Sequence, residues 1–164
     1  MLKYYFFKKI KVVNNGFTLI ELLVVTIIIG ILTAVSIPNL IGQIGKARET
    51  EASNQLGTIS RAQQAYHFET QRFASNMNTL DRNISVVNGY YNFPNPSIAN
   101  NTIVKHRAVV NADSSNSSRD YAIGIYHNAG EYSTVLCRAN TTTSTVTAPD
   151  TSTAPCNNNG VRIK

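Results

Sequence analysis

The sequence predicts an α+β fold in which one long N-terminal helix protrudes from, and packs against, a small antiparallel sheet. Three observations lead there. A stretch of 24 residues without a charge, Leu22 to Gly45, follows a lone glutamate, Glu21. Apolar residues then recur at three-and-four spacing as far as Tyr66, the pattern of an amphipathic helix. Beyond residue 100, three stretches alternate apolar and polar residues between turn signals, as half-buried strands do.

The helix comes first. Phe17 to Ile37 is its strongly apolar part, and about 20 such residues in a helix cross a hydrocarbon core of about 30 Å. The stripe then continues through Leu40, Ile44, Ala47, Ala52, Leu56, Ile59, Ala62 and Tyr66. Lys46, Arg48, Glu49, Glu51, Arg61 and Glu69 mostly fall elsewhere around the axis. One helix is expected from about Phe17 to about Thr70, apolar all round over residues 17–39 and amphipathic over residues 40–70. Gly30, Gly42, Gly45 and Gly57 weaken it by about 1 kcal/mol each relative to alanine, and Pro38 by about 3 kcal/mol. Pro38 also frees a backbone carbonyl and is expected to kink the rod.

The chain carries 15 Lys and Arg against 9 Asp and Glu. Four of the basic residues, Lys3, Lys8, Lys9 and Lys11, precede Gly16, and without residues 1–16 the balance is 11 against 9. Basicity is thus concentrated ahead of the apolar run. That argues for orientation at a membrane more than for nucleic-acid binding. The segment departs from a conventional secretory signal, because Ile37-Pro38-Asn39-Leu40 closes it where a small-residue cleavage site would stand. Glu21 is costly for a passive anchor, since a carboxylate at mid-bilayer costs roughly 3 kcal/mol.

The run Gly16-Phe17-Thr18-Leu19-Ile20-Glu21 before an uncharged span, with basic residues upstream, resembles the leader and N-terminal segment of type IV pilin precursors. The resemblance implies cleavage after Gly16 by a prepilin peptidase, N-methylation of Phe17, and a leader of residues 1–16. It also implies a precursor in the inner (cytoplasmic) membrane and a mature chain in an extracellular filament. Glu21 would there face the Phe17 ammonium of a neighbouring subunit. A buried carboxylate is tolerated when so paired and costly when left alone, which gives Glu21 an assembly role. Gly30 and Pro38 would bracket a stretch able to kink or unwind. Ile37 to Glu69, with P-N-L-I-G-Q-I-G-K-A-R-E and R-A-Q-Q-A-Y, resembles major pilins of cyanobacterial type more closely. The likeness covers roughly residues 14–80.

The head, residues 71–164, is read from its own residues. Residues 75–100 are a long Asn- and Ser-rich connection with Pro94 and Pro96 and one short strand at Tyr90–Phe93. Thr102–Ala112 is a strand with Val104, His106, Ala108 and Val110 on one face and Lys105 and Arg107 on the other. After the polar turn Asp113–Arg119 come Tyr121–His127 and, past a hairpin at Asn128-Ala129-Gly130, Tyr132–Arg138. Three or four strands against the amphipathic half of the helix make a pilin-like roll. Thr141 to Pro155 holds nine Ser or Thr among 15 residues and is expected to be an exposed loop with no part in a core. Cys137 and Cys156 flank it. Behind an export segment they are expected to form a disulfide, stabilising by about 3 kcal/mol.

No catalytic or metal constellation is legible. His67, His106 and His127 lack metal-ligand spacing with one another or with the cysteines, and structural roles are expected for all three. No cofactor is expected. Tyr90, Tyr91, Phe93, Tyr121, Tyr126 and Tyr132 offer faces for nucleobases, but core and sheet positions account for most of them, so DNA is the minor alternative among partners. The expected partners are other copies of the chain in a helical homopolymer, the prepilin peptidase, the inner-membrane pilus assembly machinery and minor pilins. The expected function is structural: a type IV pilus subunit serving adhesion, twitching or phototactic motility, with DNA uptake as a lesser alternative. A type II secretion pseudopilin or minor pilin is the near alternative. A membrane-anchored binding module that never polymerises is the alternative of another class.

Overall fold

The computed structural model describes residues 16–81, 89–111 and 118–164. The leader ahead of Gly16 and most of the expected Asp113–Arg119 turn lie outside the described residues. The chain divides between Leu40 and Ile41 into two units.

Helix α1 runs Leu19–Thr70 without interruption, with Pro38 inside it. It starts on a cap. The Thr18 hydroxyl oxygen accepts the Glu21 backbone N–H at 3.2 Å, which places Glu21 three residues past the cap, as in a capping box. It ends where Gln71 turns left-handed, at a φ of 58°, while its N–H still donates to the His67 carbonyl at 2.8 Å. Within the first unit, every residue of α1 is exposed. The hydroxyls of Thr26, Thr33 and Ser36 donate back to the carbonyls of Leu23, Ile29 and Leu32. Three polar side chains in the apolar run are thereby satisfied within the helix itself, as a segment without water requires.

In the second unit, α1 buries Gly45, Ala52, Leu56, Ile59, Ser60, Gln63 and His67. The expected stripe holds from Ala52 onward and fails before it. Ala52, Leu56 and Ile59 face the head, but Leu40, Ile44 and Ala47 are exposed. Toward the C-terminus Ala62 and Tyr66 pack partly buried against the core, and the fully buried line passes through Gln63 and His67 beside them. Apolar periodicity could not show this, because buried polar side chains with partners are invisible to it.

A short helix, α2 (Met77–Asp81), precedes the sheet. The strands are β1 (Tyr91–Asn92), β2 (Ile98–Ala99), β3 (Ile103–Val110), β4 (Tyr121–Asn128), β5 (Glu131–Arg138) and β6 (Val161–Arg162). The sheet order is β1-β3-β4-β5-β6 with β2 also on β3, and every pairing is antiparallel. The sheet has six strands where three or four were expected. The added β2 and β6 are two-residue strands at the edges, too short to leave a period-two pattern. Strands β1 and β2 lie along the same edge of β3, Tyr91 opposite Val110 and Ile98 opposite Lys105. Pro94 and Pro96 fall between them, where a residue without N–H breaks the ladder at an edge.

The alternation of β4 divides the core. Tyr121, Ile123 and Ile125 face α1 together with Val104, Ala108, Leu136 and the helix residues Ala52, Leu56 and Ile59. Ala122 and Tyr126 face the other way, with Val135, Cys137, Ala139, Val146 and Cys156. The second cluster corrects the reading of the Ser- and Thr-rich segment as a loop with no part in a core. Val146, Ala148 and Pro149 are essentially inaccessible, and the segment covers the face of the sheet opposite α1. Its three apolar insertions suffice because it is anchored rather than free. The Cys137–Cys156 disulfide forms as expected, and the Tyr126 hydroxyl donates to the Pro149 carbonyl at 2.7 Å. Lys105, buried on that face, reaches Asp150 at 2.7 Å. Gly124 belongs to the same face, and a Cβ there would overlap the Tyr126 ring lying across it.

Candidate functional site

Two regions carry the chemistry that the sequence singled out. The first is the start of α1. Gly16 and Phe17 precede the helix and are exposed, Phe17 by 83 %. Glu21 lies exposed in the first helical turn, where a carboxylate is favoured by the helix dipole. From Phe17 to Gly45 it is the sole ionisable side chain. Large apolar side chains surround it on all sides of the helix, among them Leu19, Ile20, Leu22 and Val25. A helix that is apolar all round belongs inside something. Alone in water this surface is unfavourable, at about 25 cal/mol for each Å² of apolar area. An 18-residue window of α1 reaches a mean hydropathy of 2.6, with none of it buried, so the segment meets the length and composition of a membrane span. Gly30 and Pro38 lie within this helix, Gly30 with open space where a Cβ would stand. Thr18 was missed, although its signal, T-x-x-E before an apolar run, is in the sequence.

The second region is the set of buried and half-buried polar groups that tie the second-unit part of α1 to the head. Glu49 accepts the Arg119 backbone N–H through Oε1 and the Tyr121 hydroxyl through Oε2, each at 3.1 Å. Burial foremost, and then the Glu49 charge, push the Tyr121 phenol up to about 12. Gln63 pairs with the backbone of Ala74 in both directions at 2.9 Å. Its amide nitrogen also donates to His106 Nε2 at 2.8 Å, which leaves the His106 proton on Nδ1. That Nδ1 is buried and finds no acceptor among the described residues. Burial lowers the His106 pKa to about 4. His67 donates from Nε2 to the Asn101 carbonyl and accepts the Tyr132 hydroxyl at Nδ1, both at 2.8 Å, and its ring lies 4.5 Å from that of His127.

His67 is hydrogen-bonded at both ring nitrogens, His127 packs against the His67 and Tyr132 rings, and His106 is bonded at Nε2 with Nδ1 lacking an acceptor among the described residues. Among the described residues no three His, Cys, Asp or Glu side chains converge as a metal site would need. The aromatics considered for nucleobase stacking are mostly core: Tyr91, Phe93, Tyr121 and Tyr126 are buried. Tyr90 is the exposed one, and the Arg48 guanidinium already lies 3.6 Å from its ring centroid. What the arrangement can do is associate. It combines a packed head with a helix whose first half is apolar all round and carries one carboxylate.

The type IV pilin-like G and H family matches residues 49–160, and the prokaryotic N-terminal methylation motif matches residues 13–37. The chain belongs to the type IV pilin-like G and H family. It is 40 % identical over 67 residues to the type IV major pilin protein PilA of Myxococcus xanthus, covering 41 % of this chain and 30 % of that one. With the type IV wide pilus major component PilA4 of Thermus thermophilus it shares 42 % over 66 residues, 40 % of this chain and 50 % of the relative. With the type II secretion system core protein G of Aeromonas hydrophila it shares 34 % over 68 residues, 42 % and 48 % of the two chains. These matches span half or less of the relatives' own length.

Proposed function

We propose that this chain is a prepilin whose mature form, starting at Phe17, polymerises through α1 into a type IV pilus. One observation carries the reading. The exposed, all-round apolar start of α1 holds a single ionisable side chain, Glu21, directly behind the cleavage-type Gly16-Phe17 junction. In the precursor the apolar run lies in the cytoplasmic membrane. In the filament it packs among the same segments of neighbouring subunits, and Glu21 takes the methylated Phe17 ammonium of a neighbour as its counter-charge. A prepilin peptidase, the inner-membrane assembly machinery and minor pilins are the partners this requires. Adhesion and twitching or phototactic motility are the uses proposed for the filament, with DNA uptake as the lesser alternative.

The test is mass spectrometry of material sheared from cells, beside the same cells carrying Glu21→Ala. The expected outcome is an abundant chain beginning at N-methylated Phe17 in the wild-type fraction and its loss from the variant fraction. Retention of residues 1–16 in the membrane, with nothing sheared and no effect of Glu21→Ala, would leave a non-polymerising anchored module as the reading. The likeness to type II secretion core protein G supports a second reading, a pseudopilin. It predicts the same processed N-terminus but scarcity in the sheared fraction, and loss of protein secretion when the gene is deleted.

A further inference from the structure

Within the second unit, a groove of about 530 Å³ opens between α1 and the sheet. Gly42, Lys46 and Glu49 line it from the helix, and Arg119, Tyr121 and Arg138 from the head. Three cations therefore face one anion. That anion is engaged, since both Glu49 oxygens already accept hydrogen bonds from Arg119 N–H and Tyr121 O–H. The Arg138 guanidinium lies beside the Tyr121 hydroxyl and interacts with it, which holds this cation at the groove wall. Three cations around one carboxylate leave the groove net positive, which suits an oxyanion, and a guanidinium fork matches an oxyanion well.

Its place along the chain says which oxyanion. Lys46 is the first charge after Glu21, and about 20 residues of helix from Leu19 fill the hydrocarbon thickness. Four further residues carry Gly42 about 6 Å past that edge, within a headgroup layer about 5–8 Å deep, and Lys46, about 12 Å past it, reaches back toward the lipid phosphates along its stem. We infer that the groove binds the phosphate of an anionic phospholipid in the leaflet from which α1 emerges. The inference rests on the membrane-inserted precursor proposed above. Lys46 by itself would be an ordinary snorkelling side chain; Arg119 and Arg138, brought from the head, turn it into a site.

The experiment uses the full chain in nanodiscs of phosphatidylcholine with and without phosphatidylglycerol, reading the lipids retained by native mass spectrometry after release into detergent. The wild type is expected to retain phosphatidylglycerol over phosphatidylcholine. Arg119→Gln with Arg138→Gln is expected to lower that preference by roughly fivefold for each cation removed, with thermal melting measured to confirm the fold. Arg138→Lys keeps the charge and is expected to keep most of the preference. Arg72→Gln, an exposed cation lining a different pocket, is expected to change nothing. No preference in the wild type, an undiminished preference in the double variant, or an equal loss with Arg72→Gln overturns the site. Abolition of the preference by millimolar inorganic phosphate overturns the lipid in favour of a free anion. Failure of the chain to enter nanodiscs at all instead overturns the membrane reading beneath it.

Discussion

Glu49 on α1 accepts the Tyr121 hydroxyl of β4 at 3.1 Å, across a sequence separation of 72 residues. The same carboxylate holds the Arg119 amide, so one side chain fixes both the entry to β4 and its first residue against the helix. Hydrogen bonds to a charged group contribute about 1.5–3 kcal/mol each when buried, less when water reaches them, and Glu49 is half-buried. Glu49→Ala is expected to destabilise the head by about 2 kcal/mol in denaturant titration of the full chain in detergent. In a double-mutant cycle with Tyr121→Phe, a coupling of about 1 kcal/mol is expected, and a coupling indistinguishable from zero would remove this contact from the account.

His106 predicts acid sensitivity. Its folded pKa is lowered from 6.5 to about 4 by burial, so below pH 6.5 the unfolded chain takes up a proton that the folded chain refuses. Stability from this residue is full above pH 6.5 and is lost as pH falls toward 4, at about 1.4 kcal/mol per pH unit. Between pH 7 and pH 4.5 the loss is about 2–3 kcal/mol. His106→Leu should flatten that part of the profile, and an unchanged slope in the variant would assign it to the carboxylates. At the alkaline end the sign is the reverse of a carboxylate's. Tyr121 and Tyr126, both raised to about 12 by burial first of all, withdraw stability as pH climbs from 10.

The disulfide Cys137–Cys156 spans a separation of 19 residues, for which loop closure contributes about 3 kcal/mol. Its reduction is expected to cost about that much, and to act first on the segment between the cysteines, which carries Val146, Ala148 and Pro149 onto the sheet. Limited proteolysis with and without reductant reads this directly, with cleavage expected between residues 139 and 156 before any cleavage in β3 or β4. Simultaneous loss of all strands would show that the cover and the sheet unfold as one unit.

The hairpin between β4 and β5 closes through Ala129 and Gly130, at φ of 51° and 86°, with Asn128 opposite Glu131. Both central residues are left-handed, as a two-residue turn of this kind requires. Alanine there costs about 1 kcal/mol relative to glycine or asparagine. Ala129→Asn is expected to raise stability by about 0.5–1 kcal/mol, read as a shift of the melting midpoint. A lower midpoint would mean that the alanine methyl is held by a contact the turn geometry does not reveal.

Long-period and short-period apolar patterns were legible because each reports a single local choice. The apolar pattern from about Phe17 to about Thr70 pointed to one helix, observed over Leu19–Thr70, and the alternation in Tyr121–His127 pointed to a strand, observed over Tyr121–Asn128. The N-terminal methylation motif over residues 13–37 was legible for another reason: it lies in residue type and order at one place in the chain. Thr18 belonged to the same stretch and needed only its hydroxyl to be weighed as a cap.

What the sequence by itself determined was the character of α1, the central strands β3, β4 and β5, and the pairing of the two cysteines, because composition, period and an even cysteine count are local or compositional facts. Only the tertiary structure decided that Gln63, His67, His106 and Glu49 are interior polar ties, and that Val146, Ala148 and Pro149 close the second face of the sheet. It alone brought Arg119 and Arg138 to the flank of Lys46. Each of these depends on which residues, tens of positions apart, share one small volume. A polar side chain is stable inside only if its partner arrives there too, and the arrival is a property of the folded chain.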